Sequence, residues 1–137
     1  MSQAEKWATA TLRIHSVVLN PEAISNALRT PPTNLALRGE LMSPRNPKSS
    51  KRERHLWALE SSLGAESSLE DQIENMIEFI EKNLIIIKRL IKECEIDLFC
   101  GYSSSTGQGG ICLEASIIKR LSAVPIDLVF DIYTIRD

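Results

Sequence analysis

The chain has 137 residues, enough for one domain with its own core, and its 43% hydrophobic and 25% charged residues are typical of a globular protein. The formal net charge of −2 gives no overall electrostatic case for binding nucleic acid. The longest apolar run, residues 84–87, is far shorter than the roughly 18 residues that span a bilayer, and the first six residues lack the apolar core of a secretory signal. The three cysteines form no CxxC pair, so we expect buried thiols in the reducing cytoplasm and no zinc site.

The first two predicted elements are a strand and a short helix. Over residues 7–19, apolar residues alternate with threonine, arginine and histidine, which predicts a half-buried strand. Asn20 and Pro21 match the N-cap and the first position of a helix, which should end before Pro31.

Two further strands are predicted on either side of a basic loop. Residues 35–42 alternate weakly around Gly39, which would mark a bulge, and residues 55–61 alternate around Trp57, which we expect in the core. Between them, residues 43–54 hold two prolines, three serines and five basic residues, which predicts a flexible loop. The basic residues, which could contact phosphate groups but have no interleaved aromatic residues to stack on bases, are Arg45, Lys48, Lys51, Arg52 and Arg54.

Residues 68–94 predict one long amphipathic helix, because their apolar residues fall within about 100° of arc on a helical projection. A straight helix of this length would run roughly 40 Å, beyond the strands it should cover. It should therefore bend or break near Asn83, a poor helix former, or project its acidic half past the sheet. Another face carries an acidic stripe, which is either solvated or a docking surface for a basic partner: Glu70, Glu74, Glu78 and Glu81.

The last third of the chain predicts a strand over residues 96–102, a helix over 113–124 and a strand over 126–135. The Ser/Gly-rich loop 103–110 stands where phosphate-binding loops stand, but its glycines match no phosphate-binding motif, so it is a connection or an anion site. Asp127 and Asp131 share one face of the last strand at a separation of roughly 13 Å, wider than paired glycosidase carboxylates. They predict a polar sheet face.

The predicted order is β-α-β-β-α-β-α-β over residues 1–137, which indicates a single α+β domain. Its first six elements match a ferredoxin-like βαββαβ core, extended by a C-terminal helix and strand, with the helices on one face of the sheet. The only histidines, His15 and His55, stand at no recognisable spacing from a nucleophile. We therefore predict no catalytic residue, no metal and no cofactor.

Short motifs spread over most of the chain are similar to those of a known family. They are Asn20-Pro21-Glu22-Ala23-Ile24 with Leu28 and Pro32, Gly39-Glu40, Trp57-Ala58-Leu59, the helix from Leu69, Leu113-Glu114, Leu121, Ile126-Asp127-Leu128 and Tyr133. In these the chain resembles DUF4279, a bacterial domain of unknown function. The resemblance implies no catalytic residues. Small cytosolic domains of this kind are often the immunity partners of polymorphic toxins, so it implies binding to a toxin domain.

These observations predict a non-catalytic protein-binding domain, an immunity protein that neutralises a cognate bacterial toxin by direct binding. Its partner-binding residues would be the acidic ones, Glu70, Glu74, Glu78, Glu81, Asp127 and Asp131. The alternative is a nucleic-acid-associated protein that uses the basic residues 45–54. A second alternative is a small enzyme with a site near loop 103–110 and a histidine. No membrane partner is predicted, and the oligomeric state stays open.

Overall fold

A computed structural model describes residues 6–104 and 110–134, in which five strands and four helices form a mixed α+β fold. The α+β class predicted from the sequence is confirmed. Within those two ranges, no helix combines the length and the apolar character needed to cross a membrane. The elements are β1 (Lys6–Ser16), α1 (Pro21–Leu28), β2 (Asn34–Ala36), β3 (His55–Glu60), α2 (Leu69–Lys82), α3 (Leu84–Leu90), β4 (Glu95–Ser104), α4 (Ala115–Ser122) and β5 (Asp127–Thr134).

The strands form one sheet in the order β2-β3-β1-β4-β5. Neighbours are antiparallel except β4 and β5, which run parallel and are joined through α4, since parallel neighbours need a crossover connection. The register places Ile14 of β1 opposite Trp57 of β3 on one side and Ile96 of β4 on the other. β1 is therefore the centre of the sheet.

The core lies between the helices and one face of the sheet. Alternate residues of β1, Ala8, Ala10, Leu12 and Ile14, are buried there together with apolar side chains from all four helices or their ends. Trp57 is fully buried as predicted, and its indole N–H donates to the Ser25 hydroxyl at 2.9 Å. Helix residues in this core include Ile24, Ile73, Met76, Ile77, Ile80, Ile87 and Leu90.

The helix predicted over 68–94 breaks at Asn83, one of the outcomes expected from its length, so the segment forms two helices, α2 and α3. Asn83 has φ −116° and ψ 23°, outside the helical region, between the end of α2 and the start of α3. Its side-chain amide donates to the Phe79 carbonyl at 2.9 Å, a second bond to an oxygen that also accepts from the Asn83 backbone N–H at 3.2 Å. After the break α3 begins at Leu84, and its residues Ile87 and Leu90 are buried in the core.

β2 is shorter than the predicted strand over 35–42. Gly39 lies outside it, with φ 94°. Its N–H donates to the Arg52 carbonyl at 2.8 Å, and the Arg52 N–H donates to the Glu40 carbonyl at 2.7 Å. Two residues therefore lie opposite one, with a left-handed glycine first, which is the arrangement of the predicted bulge.

The second half of the segment 43–54 pairs with the residues just ahead of the segment: Leu41 bridges Lys51, and the Met42 N–H donates to the Ser50 carbonyl at 2.8 Å. Smaller differences occur at element ends: β1 ends three residues earlier than predicted, and α4 is two residues shorter at each end.

A buried glutamine completes the edge of β1 that β3 does not reach. β1 pairs with β3 only from Thr11 onward. Ahead of that point, the Gln72 side chain accepts from the Ala10 N–H at 3.1 Å and donates to the Ala8 carbonyl at 2.7 Å. The amide of Gln72 therefore replaces a neighbouring strand, so that these buried backbone groups keep hydrogen-bond partners.

Candidate partner-binding surface

The helices leave one face of the sheet uncovered, and we call it the open face. On β1 it carries Thr9, Thr11, Arg13 and His15, the residues that alternate with the buried ones. The register places Arg13 opposite Asp97 of β4. The open face therefore brings together charged side chains that are far apart in the sequence.

Arg13 and Asp97 form a two-pronged ion pair on this face. The Nε and Nη2 groups of Arg13 donate to the two carboxylate oxygens of Asp97 at 2.7 and 2.8 Å. The Arg13 guanidinium carbon also lies 4.3 Å from the centre of the Phe99 ring, a cation–π contact. This geometry fixes the guanidinium in one orientation. Two of its N–H groups donate to Asp97, and its positive charge lies against the Phe99 ring.

His15 lies beside this ion pair but lacks a free acidic partner. Its Nε2 is 3.8 Å from an Asp97 oxygen that already accepts from Arg13. Burial, followed by the positive charges of Arg54 and Arg13, lowers the pKa of His15 below 6.5, so the imidazole is neutral at pH 7. Arg54 in turn donates to the Glu95 carboxylate. The charges around His15 thus compensate one another.

The predicted basic residues are only partly brought together. Lys51, Arg52 and Arg54 line a cavity of about 370 Å³ between the basic segment and the open face, which His15 also lines. Arg45 and Lys48 are exposed elsewhere on the segment. Glu53 also borders the cavity, which lowers its net positive charge. A phosphate contact at this place stays a prediction.

His55, the second histidine, has a role in holding a turn. Its Nδ1 accepts a hydrogen bond from the Arg38 N–H at 2.9 Å, just before Gly39. A ring nitrogen that accepts from the backbone ties β3 to the turn after β2.

The acidic stripe predicted on α2 lies against α4, and a basic residue remote in sequence reaches it. Arg120 donates through Nε and Nη2 to Glu81 at 2.9 and 2.7 Å, and through Nη1 to Glu74 at 3.5 Å. The hydrogen bonds from Arg120 lower the pKa of the Glu81 carboxyl. Two residues of the stripe therefore take part in the contact between α2 and α4.

The other two residues of the stripe differ from each other. The Glu70 carboxylate accepts from the backbone N–H of Cys112 at 3.2 Å, which ties down the segment before α4. Glu78 is exposed. Whether this stripe also binds a partner stays a prediction, but three of its four carboxylates already have contacts within the chain.

Asp127 and Asp131 stand on the open face at the end of the sheet. They lie beside Asp97 and Gly101 of β4, and both are exposed. β5 is the last strand of the sheet, and among the described residues no strand pairs with its outer edge. Two carboxylates thus flank a row of unpaired backbone groups.

Large apolar side chains are exposed along the same strand. Phe130 and Ile132, on the helix side of β5, are 39% and 61% exposed. On the open face the Tyr133 ring lies 6.1 Å from that of Trp7, which crosses Gly101 so closely that an added Cβ would come within 3.1 Å of the indole. We call the outer edge of β5, with its exposed side chains on both faces, the β5 margin.

An apolar groove of about 260 Å³ adjoins the β5 margin on its helix side. It runs between α4 and the start of β5, and Ile118 at its rim is 52% exposed. Its apolar lining consists of Leu113, Ile118, Leu121, Val124, Ile126 and Leu128.

The cysteines only partly match the prediction of buried thiols. Cys94 and Cys100 are buried, and burial raises the pKa of Cys100 to about 12. Cys112 is exposed, so the prediction is wrong for this residue, because the segment ahead of α4 lies on the surface over Glu70. Across residues 6–104 and 110–134 no group of three or more His, Cys, Asp or Glu side chains could hold a metal ion.

The loop 103–110, a connection or an anion site, falls mostly on residues 105–109, outside the described residues. Sequence reasoning missed the cluster of Arg13, Asp97 and Phe99, although the alternation of β1 had placed Arg13 on the polar face. Its partners could be found only from the strand register.

Comparisons with known proteins bear on the whole chain. No curated protein and no solved structure matches it. One protein-family model, described as a domain of unknown function (DUF4279), matches residues 5–135, nearly the full length. This match confirms the resemblance that the short motifs indicated. The chain belongs to the DUF4279 family.

Proposed function

We propose that this DUF4279 domain is a non-catalytic protein-binding protein, and specifically an immunity protein that neutralises a bacterial toxin by direct binding. The observation that carries the proposal is the β5 margin, where Phe130, Ile132 and Tyr133 are exposed beside Asp127 and Asp131. A surface that groups exposed apolar and charged residues is typical of a protein interface. The choice of a toxin as partner follows from the family resemblance.

The partner in this proposal is basic. Asp127, Asp131 and Glu78 are exposed carboxylates, and such charges mainly raise the rate of encounter and select the partner. Glu74 and Glu81 accept hydrogen bonds from Arg120 of α4, and Glu70 accepts one from the Cys112 N–H ahead of α4, so these three contribute less to binding. The non-catalytic part of the proposal is supported by Arg13 and Arg54, which compensate the carboxylates nearest His15.

We also infer that β1 to β4, with α1 and α2, form a ferredoxin-like unit extended by α3, α4 and β5. The inference is supported by the antiparallel order β2-β3-β1-β4, with one helical connection after β1 and another after β3. A cytoplasmic location is inferred from Cys94 and Cys100, which are buried as free thiols.

We expect the neighbouring upstream reading frame to encode a large protein with a C-terminal toxin domain, and the deciding experiment is copurification with that domain. We expect a stable complex at micromolar concentration and rescue of growth when both proteins are expressed together. The absence of any complex at micromolar concentration would remove the proposal.

Two matched charge variants test where the toxin binds. Asp127→Lys with Asp131→Lys reverses two charges on β5, and Glu53→Lys with Glu60→Lys makes the same change of charge on the β3 side. We expect the first pair to weaken the complex by about tenfold or more, mostly through slower association, and the second to change it by less than about threefold. Equal effects would mean that only the total charge matters.

The alternative proposal is association with nucleic acid. It is supported by one observation, that Lys51, Arg52 and Arg54 line the same cavity. It requires RNA or DNA binding that weakens steeply with salt and is lost when Arg45, Lys48, Lys51, Arg52 and Arg54 are all neutralised. Binding that survives this change would exclude the basic segment.

A further inference from the structure

We infer that the β5 margin binds an extended segment of the partner as an added strand, and that this segment carries basic residues on one face and apolar residues on the other. The inference rests on the proposed protein-binding function and specifies the chemistry of the partner. Three separate features of β5 lead to it: its backbone edge, its acidic face and its apolar face.

The backbone edge provides the hydrogen bonds. β5 has eight residues, or about 25 Å of strand, and its outer N–H and C=O groups pair with no strand in the described part of the chain. At the opposite edge, β2 has only three residues and is followed at once by the turn at Gly39. Long unprotected edges accept further strands, whereas very short ones do not. β5 is therefore the edge suited to strand addition.

The open face selects for positive charge. Asp127 and Asp131 lie four residues apart on this face, and both are exposed. In a paired strand, the residues opposite them also lie on the open face, at the same spacing. Lysine or arginine at those two positions would form cross-strand ion pairs, while acidic residues would be repelled.

The helix side selects for apolar residues. Phe130 and Ile132 project there, and the groove between α4 and Leu128 continues the apolar surface toward the start of β5. An added strand would cover the two exposed side chains and place an apolar side chain of its own over the groove. Alternation of basic and apolar residues along the partner follows from the period of two in a strand.

A second copy of this chain fits the same edge poorly. Pairing of β5 with its own equivalent would bring four aspartates onto one face of the new ladder, Asp127 and Asp131 from each copy. Like charges placed across a strand pair are destabilising. A heterologous, basic segment therefore suits the margin better than self-association does.

The test uses a synthetic eight-residue peptide in which lysine alternates with valine or isoleucine. Two control peptides accompany it: one with the same composition but the four lysines placed first, and one N-methylated at alternate amides so that one edge cannot donate. We expect saturable binding of the alternating peptide, at least about tenfold tighter than either control. In the isotope-labelled protein, amide shifts and slowed hydrogen exchange should be confined to β5 and the neighbouring groove.

The protein variants extend the test without touching the core. Asp127→Lys with Asp131→Lys should abolish binding of the alternating peptide, and Glu53→Lys with Glu60→Lys should leave it unchanged. Equal binding of all three peptides, or shifts centred on another face, would overturn the inference, since simple charge attraction would then suffice. A dimer formed through β5 and detected by sedimentation would overturn the choice of occupant.

The outcome is separable from that of the proposed function. If the toxin complex forms but keeps its affinity in the Phe130→Lys with Ile132→Lys variant, the added strand is wrong and the immunity function stands. If no toxin complex forms while the alternating peptide still binds along β5, the immunity function fails and the strand-accepting edge stands.

Discussion

The two faces of the sheet follow different chemistry along the same strands. On β1, Leu12 and Ile14 are fully buried under the helices, whereas their neighbours Arg13 and His15 lie half-buried on the open face. The helix-covered face is stabilised by burial of apolar area, an effect that does not depend on the orientation of the groups in contact. Directed hydrogen bonds and ion pairs organise the open face. The difference indicates that most of the folding free energy comes from the helix side of the sheet. Side chains on the open face can therefore contact a partner with little loss of stability.

The largest expected effect tests the helix-covered face. Leu12→Ala removes a side chain with no exposed area and leaves a cavity, so we expect a loss of about 3 kcal/mol in the free energy of unfolding, measured by urea denaturation. Thr11→Ala, one residue away on the open face, should cost less than about 1 kcal/mol. Equal losses at the two positions would contradict the proposed division between the faces.

A second substitution tests how the buried amide of Gln72 contributes to stability on the helix-covered side of the sheet. Gln72→Leu replaces the amide with an apolar side chain of similar size and leaves the Ala8 carbonyl and the Ala10 N–H without their partner. We expect a loss of about 2 kcal/mol, because buried backbone groups become unsatisfied. Glu78→Leu on the exposed face of the same helix is the control, with a change within about 0.5 kcal/mol. A neutral Gln72 variant would show that the amide only fills space.

On the open face, the ion pair should contribute less than either buried change. Arg13→Met keeps a long apolar side chain beside Phe99 but removes both bonds to Asp97, and we expect a loss of about 1 kcal/mol, since the pair is partly solvent-screened. A double-mutant cycle with Asp97→Asn, run at low and high salt, isolates the coupling. A coupling that does not fall with salt would contradict the role of solvent on this face.

The smallest expected effect is a pH dependence from His15. Because burial and nearby arginines lower its pKa below 6.5, the unfolded chain binds more protons than the folded one between the folded-state pKa and 6.5. Stability is therefore full above pH 6.5 and declines as the pH falls toward the folded-state value. Urea midpoints between pH 5 and 8 should fall less in His15→Gln than in the unchanged protein. An equal or greater decline in the variant would contradict this assignment.

Much of the secondary structure could be predicted from local patterns. Asn20 caps α1 by accepting from the Ala23 N–H at 2.9 Å, and Ser68 caps α2 by accepting from Asp71 at 3.0 Å. The alternation of β1 identified both of its faces, and Trp57 was expected in the core. These features depend on residues within a few positions of one another, which is why periodicity and capping rules reveal them.

The candidate surface was less predictable, because its parts come from distant segments. The arc of α2 that carries the acidic stripe contains no basic residue, yet Arg120 on α4 reaches Glu74 and Glu81. Asp127 and Asp131 were assigned correctly to one face of a strand. Their position on an unpaired edge, beside an apolar groove, depends on where β5 adds to the sheet.

The sequence by itself determined the α+β class, the helix caps and the polar or apolar character of each face, because these follow from the backbone period and from local hydrogen bonding. Tertiary structure alone decided the strand order, the choice between a break at Asn83 and a projecting helix, the partner of Arg13 and which strand ends the sheet. Those outcomes depend on contacts between residues far apart in the chain, whose geometry is set only when the helices and the sheet bury their apolar sides against each other.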